Sequence, residues 1–485
     1  MQACTYLIIG AGFGGLGMGI RLKQSGQNDF AIWEKAGDLG GCWRDNVYPG
    51  AACDVPSHLY SFSFAPKKDW TYKFAPQAEI LDYMRECATE HGLRPHLHFK
   101  HEVALAEYDE ARHRWQITSA DGTTIEAKYL ITATGQLNRP AKPNLPGLSS
   151  FNGPIFHSAE WRHDIELDHK NIAVVGTGAS AIQFVPEIAK HAKNLTLFQR
   201  SAPYVIPKPD RKYSAMEHWL LEKLPGAYVL SRLKTYLQYE SRFLGFRFLK
   251  QAMGFMSWSW RRFMHKEVDD KALRTKLTPD YDMGCKRILI ANNYYSTLAQ
   301  ANVEVNNTGI ASIDEHGIVD GKGQHYPADI IVLGTGFKAT DFLSPIRIKG
   351  RSGVILNEAW ESGAEAYLGI NVHQFPNMFM LYGPNTNLGH NSIVYMLESQ
   401  INYVLRAVAF ADKEHASAIE VLAEPQRSFN STIQHDLKET VWNQGCTSWY
   451  QRDDGKNTVN WPGFTFQYRQ LTKAFNAENY DLSTL

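Results

Sequence analysis

Two glycine-rich turns, near residues 10 and 176, restrict the fold more than any other feature of the chain. In the first, an apolar run over residues 6–9 breaks into Gly10-x-Gly12-x-x-Gly15 and continues as a helix-compatible stretch to Leu22. Strand, tight turn and helix in that order build a dinucleotide site. Gly10 makes the turn, Gly12 lets the main chain touch a pyrophosphate, and Gly15 lets helix and strand pack closely. The helix N-terminus then faces the anion, with Phe13 in its first turn. A second apolar run, residues 30–33, ends in Glu34, a carboxylate at the distance that suits a ribose diol.

The second turn repeats this arrangement. Residues 171–175 read as a strand, Gly176-Thr177-Gly178-Ala179-Ser180-Ala181 as a GxGxxA turn, and residues 182–190 as a helix. After its second strand (195–198) come Arg200 and Ser201, where the first unit has Glu34. A carboxylate there would repel a 2′-phosphate, whereas a guanidinium pairs with it bidentately. The first unit is therefore expected to take FAD and the second NADP(H). Ala133-Thr134-Gly135 and Gly334-Thr335-Gly336 end matching apolar strands and mark where the chain leaves and re-enters the first unit. The predicted fold class is α/β, two Rossmann-like dinucleotide-binding domains with the NADP domain inserted into the FAD domain and a helical insertion. Residues 1–147 are the N-terminal part of the FAD-binding domain. Residues 148–337 are the NADP-binding domain, with the helical insertion at about 211–278, and 338–485 the C-terminal part of the FAD-binding domain.

Between these units the spacing predicts a helix over 76–90, strands over 98–109, 113–118 and 124–133, and a turn at Asp121-Gly122. Residues 40–54 are rich in glycine, aromatics and proline, a loop suited to run along a ligand, and Asp54 is available as a charge partner. Residues 213–277 carry Trp219, Phe243, Phe246, Phe248, Phe255, Trp258, Trp260 and Phe263, interleaved with Arg242, Arg247, Lys250, Arg261 and Arg262. Helix packing is the favoured reading there, with a membrane-touching face or an apolar substrate mouth as alternatives. Lys286-Arg287 sets two cations before a short strand, a pair whose usual fate is a surface salt bridge. Residues 393–410 have helical spacing with Asn391 or Ser392 as N-cap, and a helix start aimed at a flavin ring would favour its anionic reduced form. Residues 447–450 and 460–463 add aromatic surface.

Fifty basic and fifty acidic residues cancel, which argues against nucleic acid or an anionic membrane as the main partner. The first strand begins almost at Met1, leaving no room for a signal peptide, and no run reaches the length of a spanning segment. Six cysteines form neither CxxC nor zinc spacing, so neither a metal site nor a disulfide framework is expected. The expectation is a reduced, cytoplasmic protein that acts on a small molecule, with its oligomeric state open.

On these residues the chain resembles the type I Baeyer-Villiger monooxygenases, within the class B flavoprotein monooxygenases. Gly40-Gly41-x-Trp43-x4-Tyr48-Pro49-Gly50-x3-Asp54 matches the longer family fingerprint at every specified position. Phe151-x-Gly153-x3-His157-x3-Trp161 matches the shorter one up to its last place, where the family has Pro or Asp and this chain has Arg162. The resemblance implies FAD held by Gly10, Gly12, Phe13, Gly15, Glu34, Gly41, Trp43, Asp54, Tyr60 and Val103. It implies NADP held by Gly176, Thr177, Gly178, Ala179, Ser180, Arg200, Ser201 and Lys286. Arg287 is then the catalytic arginine, Asp54 its partner, and His157 a coupler between domains. The implied reaction converts an apolar ketone to an ester or lactone with NADPH and O2, through a C4a-peroxyflavin. The Gly-Pro-Asn-Thr-Asn-Leu-Gly-His segment and Trp461-Pro462-Gly463 look more like the aryl-ketone branch. An N- or S-oxygenating flavin monooxygenase stays open, since it shares both cofactors without needing the arginine. A flavin disulfide reductase would need a redox cysteine pair beside the flavin, and Cys42 and Cys53 lie eleven apart.

Overall fold

The computed structural model describes residues 2–247, 250–443, 446 and 448–484, with backbone alone over 250–253. Phe248, the Lys250 side chain and Thr447 lie outside the described residues. The chain opens with β1 (Gln2–Ile9), α1 (Phe13–Gln24), β2 (Phe30–Glu34), α2 (Cys42–Asp45) and α3 (Gln77–Glu90). Then follow β3 (Leu97–Phe99), β4 (Val103–Asp109), β5 (Arg114–Ser119) and β6 (Thr124–Thr132). Strands β3, β2, β1 and β6 lie side by side in parallel. Residues 6–9 read as a continuous apolar run because this end of the sheet is covered on both faces. Residues 98–109, expected as one strand, are two. β3 pairs with β2 at one edge, β4 pairs antiparallel with β5, and Lys100 between them takes φ of +63°. Pro76 precedes α3, as its fixed φ favours.

The second unit comprises β7 (Ile155–His157), β8 (Asn171–Val175), α4 (Ala181–Ile188), β9 (Asn194–Phe198) and β10 (Val205–Ile206). The helical insertion follows as α5 (Ala215–Lys223), α6 (Ala227–Glu240), α7 (Phe243–Arg247), α8 (Lys250–Glu267) and α9 (Lys271–Lys276). The chain returns through β11 (Leu289–Ile290), α10 (Tyr294–Leu298), β12 (Val303–Asn306), the ribbon β13 (Ile310–Asp314), β14 (Gly317–Asp320) and β15 (His325–Pro327), and β16 (Ile330–Leu333). The order β12-β9-β8-β16-β7, all parallel, is one complete doubly wound sheet. Beyond it β17 (Arg347–Lys349) joins β4 and β18 (Met378–Met380) joins the upper half of β6, so the last third completes the first sheet. The second unit is thus an insertion. The two crossings run side by side: Ala141 N–H donates to the Gly336 carbonyl at 2.8 Å and Lys338 N–H to that of Arg139 at 3.0 Å.

Two buried clusters reflect this division, one on the first sheet and its helices, the other around α4, α8 and α10. After the short α11 (Leu356–Ala359), Ser392 caps α12 (Ile393–Lys413), its hydroxyl accepting from Val394 N–H at 3.3 Å. After α13 (Ala423–Lys438) comes α14 (Thr465–Leu471). Helix α6 is pinned to this C-terminal part by Glu240, a buried carboxylate that accepts from the Thr465 main chain at 2.6 Å and the Thr465 hydroxyl at 2.8 Å. Helix packing therefore accounts for the inner side of the insertion. Its outer side stays exposed. Tyr450 and Trp461, expected at the surface, are buried. Among the described residues no helix is long and apolar enough to cross a membrane.

The cysteine expectation needs correction. Cys285 and Cys446 form a disulfide, their Cα atoms 6.2 Å apart across 161 residues of sequence. Sequence spacing carries no trace of a pair brought together by two different lobes. Cys4, Cys42, Cys53 and Cys87 are free.

Candidate active site

At the first turn each glycine meets a steric demand. Gly10 takes φ of +103°, and a Cβ there would lie 2.6 Å from the Ala133 carbonyl oxygen, at the end of the neighbouring strand. A Cβ on Gly15 would lie 1.9 Å from the Gly10 carbonyl oxygen, so only glycine lets α1 start this close to β1. Gly12 and Gly41 face each other, a Cβ on Gly41 reaching 3.2 Å from the Gly12 Cα. No side chain caps α1, whose first-turn residues Phe13, Gly14 and Gly15 are buried. Glu34 is 4% exposed and accepts from Ala11 N–H at 2.9 Å and Ala36 N–H at 3.0 Å, with Arg44 at 3.0 Å. A carboxylate offers about four lone-pair sites, so capacity remains for a ribose hydroxyl. The uncapped helix start and this spare acceptor fit a dinucleotide. Nearby, Trp43 Nε1 donates to the Tyr60 hydroxyl at 3.1 Å, and Tyr60 stands edge-on to Phe13 at 5.1 Å. Val103 lies apart, its side chain in the core with Trp33, which leaves only main-chain atoms for a ligand.

The second turn has the same geometry. Gly176 takes φ of +105°, and its Cβ would lie 2.3 Å from the Gly334 carbonyl oxygen, whereas Gly178 is open, as are Ala179 and the partly exposed Thr177 and Ser180. Thr177 Oγ1 donates to the Ser201 carbonyl at 3.2 Å, tying the turn to the end of β9. Lys286 Nζ donates to Ser201 Oγ at 2.9 Å and lies over the Tyr281 ring at 4.4 Å. Burial and the nearby Arg200 hold the Lys286 ammonium below the usual lysine range. Among the described residues neither cation has a carboxylate within salt-bridge distance. Two adjacent cations and a hydroxyl at this position fit a 2′-phosphate.

The adjacent residues 286 and 287 diverge, against the usual surface fate of such a pair. Arg287 Nε donates to Asp54 Oδ2 at 3.0 Å, and its Nη2 donates to the same oxygen. The two side chains are 27% and 36% exposed. Burial pushes the Asp54 carboxyl up, but the Arg287 charge outweighs it and holds that carboxyl below its usual range. Asp54 in turn raises Arg287 above the ordinary arginine value. Tyr382 and Tyr450 share this environment, where burial pushes both phenols up, Tyr450 to about 12. The buried Tyr450 hydroxyl and Gln136 Oε1 have no hydrogen-bond partner among the described residues. Sequence reasoning missed both; unpartnered polar atoms are a property of the folded surroundings that no spacing shows.

The longer fingerprint serves two neighbours. Its first half brings Gly41 and Trp43 to the first turn. In its second half, Tyr48 donates to Gln183 Oε1 at 3.0 Å, and a Cβ on Gly50 would lie 2.7 Å from the Gln183 carbonyl, so it docks on α4 of the second unit. In the shorter fingerprint, buried His157 accepts at Nδ1 from Ala159 N–H at 3.1 Å and stands edge-on to Phe337 on the returning crossing. Arg162 pairs with Asp164 at the exposed surface, so the departure from the family pattern stays local. The two C-terminal motifs hold each other: Asn385 Nδ2 donates to the Asn457 and Asn460 carbonyls, and Asn387 Nδ2 to Asn460 Oδ1 at 2.9 Å.

A family model described as pyridine nucleotide-disulphide oxidoreductase matches residues 7–241. The chain is 45% identical over 483 residues to a Baeyer-Villiger monooxygenase of Pseudomonas aeruginosa, covering 99% of this chain and 92% of that one. Among solved structures it is similar to an oxidized steroid monooxygenase bound to NADP, at TM-score 0.90, 31% identity and full coverage of both chains. It is similar also to OTEMO in complex with FAD and NADP, at TM-score 0.90, 25% identity and 99% coverage of both. Near-complete alignment at this identity, over both dinucleotide turns and the segment that carries Arg287 against Asp54, makes the chain a member of the Baeyer-Villiger monooxygenases.

Proposed function

We propose that this chain oxidises apolar ketones to esters or lactones, using NADPH, O2 and a resident FAD. The first turn, with Glu34, Gly41, Trp43 and Tyr60, would hold the FAD, and Gly176 to Ser180 with Arg200, Ser201 and Lys286 the NADP(H). When bound, these groups supply hydride and activate dioxygen. The protein's own part is electrostatic. Arg287 is a cation that does not titrate near neutral pH, and a fixed donor of this kind would stabilise negative charge on the oxygen that the bound cofactors activate. Asp54 takes two of its five N–H donors and so fixes the plane of the guanidinium, leaving three for the pocket. The observation that carries the reading is this two-donor contact between residues 233 apart in sequence, one on each side of the joint between the units. Abundant aromatic side chains favour an apolar substrate.

The test is NADPH oxidation in air against a panel of linear, cyclic and aryl ketones, with ester and peroxide both measured and an alkyl aryl sulfide as control. Ester formed in step with NADPH supports the reading. Sulfoxide as the sole oxygenated product, with no ketone altering the rate, assigns the chain to heteroatom oxygenation instead.

A further inference from the structure

The outer face of the helical insertion is apolar where a water-exposed surface should be polar. Of the sixteen large hydrophobic side chains exposed among the described residues, eleven fall between residues 216 and 258. Leu230, Leu233 and Leu237 form a stripe along α6 and are 48–67% exposed. The opposite side of the same helix is committed to the protein: Tyr228, Tyr239 and Glu240 are buried there, and Arg232 donates to the His58 and Ser61 carbonyls. The inner side of α6 is thus taken up by the protein, and the leucine stripe on its outer side is left exposed. On α8, Phe255 and Trp258 stack at 5.7 Å between ring centres in the open, with the Arg262 guanidinium 5.9 Å from the Trp258 ring. Exposed apolar side chains gathered in one stretch of the chain mark an interaction site.

Charge decides between partners. Residues 213–266 carry nine Lys and Arg against three Glu, in a chain whose totals are fifty and fifty. Of the three glutamates, Glu240 is buried, Glu217 is tied to Arg211, and Glu222 is paired with Lys223. Lys234, Arg242, Arg261 and Arg262 are exposed along the same helices. A second copy of the chain would set this basic surface against itself. A leucine and tryptophan face edged by lysine and arginine matches instead the plane of an anionic bilayer, where apolar side chains enter the acyl boundary and cations meet the headgroups. We propose that α5, α6 and α8 dock this protein on the surface of a membrane containing anionic phospholipid, without spanning it.

The test is co-sedimentation of the FAD-loaded full chain with vesicles of phosphatidylcholine mixed with phosphatidylglycerol, and with vesicles of phosphatidylcholine alone. The expected result is salt-sensitive binding to the mixed vesicles, with a blue shift of tryptophan emission. Leu230→Ser with Leu233→Ser should weaken binding at least about tenfold, from the apolar area withdrawn, while NADPH oxidation in buffer and the melting temperature stay unchanged. Arg261→Glu with Arg262→Glu should erase the preference for phosphatidylglycerol. Failure to bind either vesicle overturns the proposal, as does binding indifferent to both pairs of substitutions. A dimer in solution that Leu233→Glu dissociates also overturns it, assigning the face to a second copy.

Discussion

Replacing Arg287 with alanine removes five N–H donors, of which two bind Asp54 Oδ2 and three are left to the pocket. Loss of one positioned donor of this type costs roughly 10²- to 10³-fold in rate, about 3–4 kcal/mol, and the donors of one guanidinium act as a unit, so this is the size expected for the whole substitution. Flavin reduction by NADPH under anaerobic conditions should survive, because the NADP(H) contacts fall on Lys286, Arg200 and Ser201. In air, NADPH should still be consumed, with hydrogen peroxide in place of ester. The pH behaviour should change too. In the wild type Asp54 lies below its usual carboxylate range, so the pair is intact throughout the ordinary carboxylate range and above, and fails only as pH falls through that lowered value. Arg287 is raised, so it stays charged throughout. The pair therefore adds no break to the rate profile near neutrality. In the alanine variant burial is no longer opposed by the guanidinium, and Asp54 should titrate at higher pH. The assay is parallel measurement of NADPH loss, peroxide and ester. An ester yield within about threefold of wild type, far short of the expected loss, would refute the assignment of Arg287.

Lys286 must be protonated to hold a phosphate, and its folded value lies below the usual lysine range. KM for NADPH should therefore rise as pH climbs through that value, and Arg200→Ala should move the break upward while raising KM for NADPH more than for NADH. Gly15→Ala forces a Cβ against the Gly10 carbonyl and should yield protein without flavin absorbance, whereas Gly37→Ala, with open space around it, should load normally. Thiol titration of the denatured chain should count four without reductant and six with it. Cys446→Ser should lower the melting temperature, since closing a loop of 161 residues stabilises by up to about 5 kcal/mol in the chain-entropy model.

The parts of the fold read most directly were those governed by short-range sterics. Gly10, Gly15 and Gly176 are glycines because a neighbouring carbonyl occupies the space of a side chain, and the same close approach dictates the turn motif. Contacts between distant segments were not legible. Cys285 gives no sign of Cys446, and no motif or spacing singles out Glu240, which anchors α6. Gly50 reads as a ligand-lining glycine by composition, yet the space it leaves is filled by α4. The shared environment of Arg287 and Asp54 was reached through family resemblance, because 233 intervening residues carry no spacing rule that would join them. The sequence marked a helical insertion around α6 but did not show which side of that helix would be covered.

The bond between Cys285 and Cys446 bears on how the molecule moves. An inserted lobe held by its two adjoining crossings alone would swing like a door on one hinge line. The bridge adds a covalent fixing, two residues before Arg287, to the hold that Glu240 already takes on Thr465. Wide opening is thereby forbidden while the bond stands, and what remains is shear, small sliding of packed faces past one another. Reduction would remove the covalent part of that hold and leave the hydrogen-bonded ties of Glu240 and Arg287.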